Sequence, residues 1–580
     1  MRTAPLQRSP LAAAMTFALS TLLAPAHADT IIDHANGYTL TAEGTLQRFT
    51  SLGFDDLGRV IVVGGEKDTA ARLPDAQHID AQGKTLLPGL IDAHGHVFEL
   101  GEIASGVDLF GATSLGGAVR AVAEFSRTHP KNAWIVGYGW NQEVWKLGRF
   151  PTAAELDAVV NDRPVLLHRV DAHASWVNTK ALEMAGILQG RALGPGNEIV
   201  MGEDGLAAGE LREGEAFGPV LDLAGEGRVR LGLATGGEPE PMPTAAERAA
   251  DRDIMRRGLA WCARHGITSI QNMDGNLYQL ELLAEIEAEE GLPCRVQIPF
   301  HYKNFMTLDM LDKASVMTER YNSEWLSSGM VKVFYDGVLD SWTAVMVEPY
   351  ADRPGWVGEP LFTPQQFIDL AVAVDRRGLQ IAVHSIGDGA VRAVLDGYEA
   401  AQKANGKRDS RHRIEHIEVT TTADVPRFAE LGVIASMQPP HPPGAMDFPL
   451  EPTVSRIGPA RWPLSYAWRT LKNAGAHIVF ASDWPVSPID PILGIQAAVM
   501  RKPWADSDPD QSFSLQESLA AYTVEGAYAE FAEHRKGTLK SGYMADLVVL
   551  SADMEKTAPA DLHKVRPVTT ICGGKVTYQA

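Results

Sequence analysis

Eight short apolar runs, each followed by a helix-like stretch, constrain this chain more than any other feature. They occupy residues 89–96, 267–273, 294–300, 331–337, 380–387, 413–419, 433–439 and 477–484. Strands that alternate with helices predict a parallel sheet, and eight of them fit a (β/α)8 TIM barrel. The helix signals between them agree. Thr244-Ala245-Ala246-Glu247 reads as a capping box opening a helix toward Gly266. Helices are expected from Asp388 to Ala401 and from Ile492 to Arg501, after the fifth and eighth strands. The interval of about 100–255 is far longer than a usual βα loop of about 2–6 residues. It carries strand-like runs at Ala133–Gly139 and Pro164–Val170 and a capping box at Thr152–Glu155, and ends in a Pro-rich stretch at 238–243. A large insertion after strand 1, lying over the barrel mouth, is the simplest reading.

The ends of the chain read differently. Short strand-like runs between Thr30 and Thr85, and again at Met544–Leu550 and Val568–Val576, predict one small β domain built from both termini. Before them, Arg2 and Arg8 precede an apolar run, Leu11 to Ala24, and an Ala26-His27-Ala28 site. That order is a secretory signal cut after Ala28, which predicts an exported, periplasmic or secreted protein with no membrane association after cleavage. The expected organisation is therefore 1–28 signal peptide, 29–88 and 535–580 the β domain, and 89–534 the barrel with its insertion. With 52 basic and 73 acidic residues the formal charge is −21. A surface so acidic repels phosphate backbones, so no nucleic-acid partner is expected. The three cysteines, Cys262, Cys294 and Cys572, are scattered and odd in number, which leaves room for one bridge but no disulfide framework.

Against apolar strands, polar residues near the strand ends carry the information. His94 and His96 stand one residue apart and so point to one face of their strand. Lys332 lies on the fourth strand, His384 on the fifth, His416 on the sixth and Asp483 on the eighth. In a TIM barrel the C-terminal strand ends form the active-site face, so these six converge on one mouth. Four histidines and an aspartate suit Zn²⁺ or a similar ion, one or two in number. Asp92 shares the face of the pair but lies deeper, where orienting a ligand fits better than coordination. His412 precedes the sixth strand and is expected at the surface.

The sequences LPGLIDAHGH, VKVFYDG, VHSIGDGAV, RIEHIEV and FASDWPVSPIDP together resemble the amidohydrolase superfamily, in its amidohydrolase-3 or YtcJ-like branch. Weaker matches are PVLLHRVDAHASWVNTKAL, RIGPARWPL and the closing GTLKSGYMADLVVL. The resemblance implies a metal-dependent hydrolase on a barrel, with the terminal β domain forming a β-sandwich. It implies cleavage of non-peptide carbon–nitrogen bonds, N-substituted formamides among them, while relatives deaminate, cleave esters or isomerise. In such relatives a lysine at the position of Lys332 is often carboxylated and bridges two metals. From the residues alone an ordinary salt bridge of Lys332 to Asp336 or Asp483 is an equal alternative. Asp483 is read as a metal ligand and the proton shuttle, against the alternative of capping a helix that begins near Pro485. His173, Trp140, His441 and Trp484 are candidates for substrate contact, with Tyr138 and Trp176 nearby and core packing as the alternative. The expected partner is a small-molecule substrate, homo-oligomerisation is compatible with the sequence, and the rival to an enzyme is an exported binding protein that keeps only the barrel.

Overall fold

The computed structural model describes residues 29–580 except 42–43, 100–105, 172, 225–227, 229–230 and 447. The signal peptide expected over 1–28 lies outside the described residues. Eight parallel strands form the centre: β1 (Leu90–Gly95), β2 (Ile267–Asn272), β3 (Arg295–Gln297), β4 (Met330–Phe334), β5 (Gln380–Ser385), β6 (Arg413–His416), β7 (Ile434–Met437) and β8 (Ile478–Phe480). β1 pairs with β2, β2 with β3, and β4 through β8 follow in register. β3 meets β4 in two steps, through Val296↔Leu326 and then Phe300↔Val331. The seam between β8 and β1 is closed just beyond β8, where Asp483 N donates to His94 O (2.7 Å) and His96 N donates to Trp484 O (2.8 Å). The ring thus closes through the backbone of four residues already singled out by their side chains.

Nearly every strand residue is buried, as a sheet covered by helices on one face and a filled barrel on the other requires. The helices keep their sequence signals. Ala245–Arg264 opens at Thr244, whose hydroxyl accepts from Glu247 N while the Glu247 carboxylate accepts from Thr244 N, and Asp388–Asn405 stops at Gly406 with φ near 89°. The helix expected from Ile492 to Arg501 runs from Pro491 to Met500, capped by Asp490 on Ile492 N (2.9 Å); the alternative of Asp483 capping a helix near Pro485 therefore falls.

Between β1 and β2 a six-stranded sheet runs in the order Glu198–Met201, Ala207–Arg212, Ala174–Val177, Val165–Arg169, Ile135–Trp140, Val107–Asp108. It carries apolar clusters separate from that of the barrel. At the ends of the chain, Thr85–Pro88 pairs with Leu547–Leu550 in a six-stranded sheet, so the two termini share one ladder. This sheet and a four-stranded one from residues 30–80 bury Ile32, Leu52, Leu86, Leu547 and Ile571 in a common core. Two sequence readings change. His412 is not a surface residue: it is buried, with Nε2 3.1 Å from Asp375 Oδ1 and Nδ1 accepting from Ile381 N. All three cysteines are free, buried thiols.

Candidate active site

The cradle is built on strand ends. Alternation along β1 places Asp92, His94 and, one step past the strand, His96 on the barrel interior. His94 Nε2 lies 3.3 Å and His96 Nε2 3.4 Å from Asp483 Oδ1. Ligand atoms of these three, and likewise of His416, His441 and Asp483, lie within 4.8 Å of one another. The His416 ring centroid is 5.0 Å from His94 and 4.5 Å from His384. Lys332 is fully buried with Nζ 3.4 Å from His94 Nε2. The six side chains expected at one mouth are therefore brought together. His416 and Asp483 reach it from left-handed backbone, φ 74° and 53°, a conformation costing a non-glycine residue about 1–3 kcal/mol, which clusters at functional sites.

Three of these histidines, His94, His96 and His416, are oriented from behind. His94 Nδ1 faces Glu415 Oε2 at 2.6 Å, His96 Nδ1 faces Asp274 Oδ1 at 2.5 Å, and His416 Nδ1 faces Gln438 Oε1 at 2.9 Å. An acceptor on one ring nitrogen turns the other toward the mouth, as metal-ligating histidines require. Glu415 is itself gripped by the buried Arg413, which also donates to Ala93 O and Ser436 Oγ. Asp92 accepts from His94 N and from the amide and hydroxyl of Ser482, which ties β1 to the end of β8. These orienting partners, apart from Asp92, escaped the sequence reading. Asp274 left a signal, a carboxylate just past the second strand, but Glu415 is masked as the outward half of a strand pair.

Burial keeps His94, His384 and His416 neutral by pushing their pKa well below the usual value, and Lys332 and neighbouring histidines add to it. Burial would lower His96 too, but the Asp274 and Asp483 carboxylates outweigh it and carry it to about 10. Burial would raise Asp483, but His94, His96 and His441 hold it down at about 2, so it stands ionised. Burial brings Lys332 down to about 8, against the pull of Glu415 and Asp483. The donor set fits a divalent metal ion: clustered imidazoles, a carboxylate held ionised, and a buried His441 Nε2 with no hydrogen-bond partner, 3.9 Å from Asp483 Oδ2. The salt bridge considered for Lys332 with Asp336 is not made. Asp336 instead accepts from the amides of Val345, Ile386 and Gly387.

A cavity of about 500 Å³ opens above the cradle, lined by His94, His96, His384, His416 and Asp483 and walled by Phe217, Phe334 and Phe448. His173 and His441 line it as expected; Trp140 and Trp484 do not. Trp140 is fully buried beneath the six-stranded sheet, its indole donating to Leu167 O and packed on Trp145 and Trp176. Trp484 turns away to pack against Trp261. Tyr138 stacks on His168 in the same sheet. His173 Nδ1 is 2.9 Å from Glu213 Oε2; burial would lower this ring, but Glu213 outweighs it and carries it to about 9.

An α/β barrel that gathers histidines and an aspartate at its C-terminal strand ends is the architecture of a metal-dependent hydrolase. The chain matches the amidohydrolase family over residues 77–578 and belongs to it. It is 29% identical to the putative amidohydrolase YtcJ of Bacillus subtilis, over 87% of this chain and 91% of that one. It is 25% identical to an N-substituted formamide deformylase of Arthrobacter pascens, over 95% and 98%. Among solved structures, an uncharacterized metal-dependent hydrolase from Pyrococcus horikoshii superposes with a TM-score of 0.70 at 25% identity, over 92% of this chain and 99% of that one.

If these histidines hold the metal, each alanine substitution at His94, His96, His384 and His416 lowers metal content together with activity. Elemental analysis of the purified variants checks this; a full complement in the His384 variant would move that residue to packing.

Proposed function

We propose that this protein is an exported amidohydrolase that splits a non-peptide amide-type carbon–nitrogen bond of a small molecule with water, using Zn²⁺ held by His94, His96, Lys332, His384, His416 and Asp483. The carrying observation is the convergence of Asp483 with His94, His96, His416 and His441 at a cavity large enough for a drug-sized molecule. A divalent ion in that cradle supplies Lewis acidity, which makes water a nucleophile near neutral pH. Asp483 takes the proton from the attacking water and returns it to the leaving nitrogen, giving a carboxylate and an amine. Glu415, Asp274 and Gln438 hold the imidazoles still through this exchange. The similarity to a formamide deformylase favours an N-substituted amide, and the three phenylalanines favour an apolar substituent on it.

The rest of the architecture serves the site in this reading. The six-stranded sheet between β1 and β2 is an inserted subdomain roofing the mouth, and the two terminal sheets are a β-sandwich that packs beside the barrel. Residues 1–28 direct export and are removed, leaving Asp29 as the first residue of the mature protein. Among the described residues no helix is long and apolar enough to cross a membrane.

The test is a hydrolysis screen of N-formyl, N-acyl, cyclic-amide and ester compounds on mature protein loaded with zinc, and on the same protein after chelation. Amide cleavage that chelation abolishes and zinc restores is the expected result. Turnover of esters alone, or release of ammonia from a ring amine, would replace the amide reading with esterase or deaminase chemistry. No metal-dependent turnover of any class would favour a binding protein.

A further inference from the structure

The segment between β1 and β2 sends the ring of His173 into the catalytic cavity, and that ring is held more firmly than a roof needs. His173 lies just before the strand Ala174–Val177, with its ring centroid 4.7 Å from His384 and 5.7 Å from Phe334. It belongs to neither histidine–aspartate group that brackets Asp483. Its Nδ1 is engaged by Glu213 Oε2, and Glu213 N donates to His173 O at 2.9 Å, so the two residues grip each other through side chain and backbone. Glu213 is 4% exposed and adopts a left-handed φ of 63°. It packs against Gly337, where a Cβ would stand 2.1 Å from both Glu213 Oε1 and Thr343 Oγ1. The loop below is fixed as well, since His173 N donates to Asp171 Oδ1 and Arg169 binds both Asp171 and Asp340.

A buried carboxylate carried on left-handed backbone and packed on a glycine is a costly way to tie a roof down. It is an effective way to aim an imidazole. With Nδ1 taken, the ring has only Nε2 to offer a molecule in the cavity. Resting on the hydrolase reading above, we infer that His173 is a substrate-contacting catalytic residue, hydrogen-bonding through Nε2 to the polar atom beside the scissile carbon–nitrogen bond, and that Glu213 is its positioning residue. The insertion then completes the active site rather than merely covering it.

The experiment compares wild type with His173→Ala, His173→Gly, Glu213→Gln and Glu213→Ala, all loaded to the same metal content and checked by circular dichroism. His173→Ala is expected to keep its metal and lose about 10²–10³-fold in kcat/KM, as for removal of one well-placed hydrogen-bonding group. Glutamine at 213 still accepts the Nδ1 proton, so Glu213→Gln loses less than Glu213→Ala. Added imidazole restores part of the activity of His173→Gly, which a purely structural role would not allow. Titration with acetohydroxamate, a small amide-like metal chelator, is expected to be about tenfold weaker in His173→Ala. Kinetic constants within twofold of wild type, loss of metal in step with activity, or loss that follows unfolding without imidazole rescue would each overturn the role. If wild type hydrolyses nothing, the hydrolase reading falls and the titration alone decides: unchanged affinity in His173→Ala, or no binding by wild type, overturns the contact.

Discussion

Asp483→Asn is expected to lower kcat by about 10²–10⁴-fold while the protein stays folded. Asparagine keeps the shape of the side chain, and its amide oxygen still reaches His94 and His96, which lie 3.3 and 3.4 Å from Oδ1. What it loses is the ability to take a proton. The surroundings explain why the aspartate is suited to proton transfer, because His94, His96 and His441 hold it ionised against the cost of burial. An acceptor sunk in apolar surroundings without those partners would be protonated and idle. Stability is expected to change little, because the nearest helix start is capped by Asp490 and not by Asp483. KM should rise less than kcat falls, since the shuttle acts in the transition state rather than in binding. Kinetics, metal content and circular dichroism on one preparation check this. A kcat near that of wild type would remove Asp483 from proton transfer and leave it a ligand.

The barrel was legible because each strand is a short apolar run between helix signals, and a strand buried on both faces has little else it can be. The cluster of polar side chains at its mouth was legible for the related reason that any polar side chain on such a strand is an exception in need of a cause. What surrounds the cradle was not. Glu415 reaches His94 across 321 positions of sequence and Asp274 reaches His96 across 178. A carboxylate beside a histidine in the chain gives no sign of which distant ring it serves. Aromatic residues misled for the opposite reason. Trp140 and Trp484 both follow barrel-like or strand-like runs, yet one packs under a sheet and the other against Trp261, because an indole satisfies a core as readily as a pocket. A helix beginning near Pro485 was the alternative weighed for Asp483. A second Asp-x-Pro-like signal, Asp490-Pro491, lies six residues on and is the one the backbone uses.

Glu415 carries the largest expected effect on stability. Its carboxylate is fully buried between two charged or polar neighbours, Arg413 on one side and His94 Nδ1 on the other. Arg413 is equally buried, and its guanidinium also binds Gln271, Ala93 O and Ser436. Removing the carboxylate with Glu415→Ala leaves that cation without a counter-charge in the barrel interior. Breaking one partner out of a buried pair costs about 3–5 kcal/mol, mainly because the remaining charge is stranded. Glu415→Gln keeps an acceptor for His94 and a surface for the guanidinium but not the charge, so its cost should be smaller. Metal affinity should follow a separate order. Both variants loosen the ring of His94, and loss of such an orienting partner typically weakens metal binding about 10–100-fold. Urea unfolding of the metal-free proteins isolates the first effect, and competitive zinc titration the second. If Glu415→Ala unfolds at the same urea concentration as wild type, then Arg413 finds another partner when Glu415 is gone. The pair would then serve to aim His94 and not to hold the barrel.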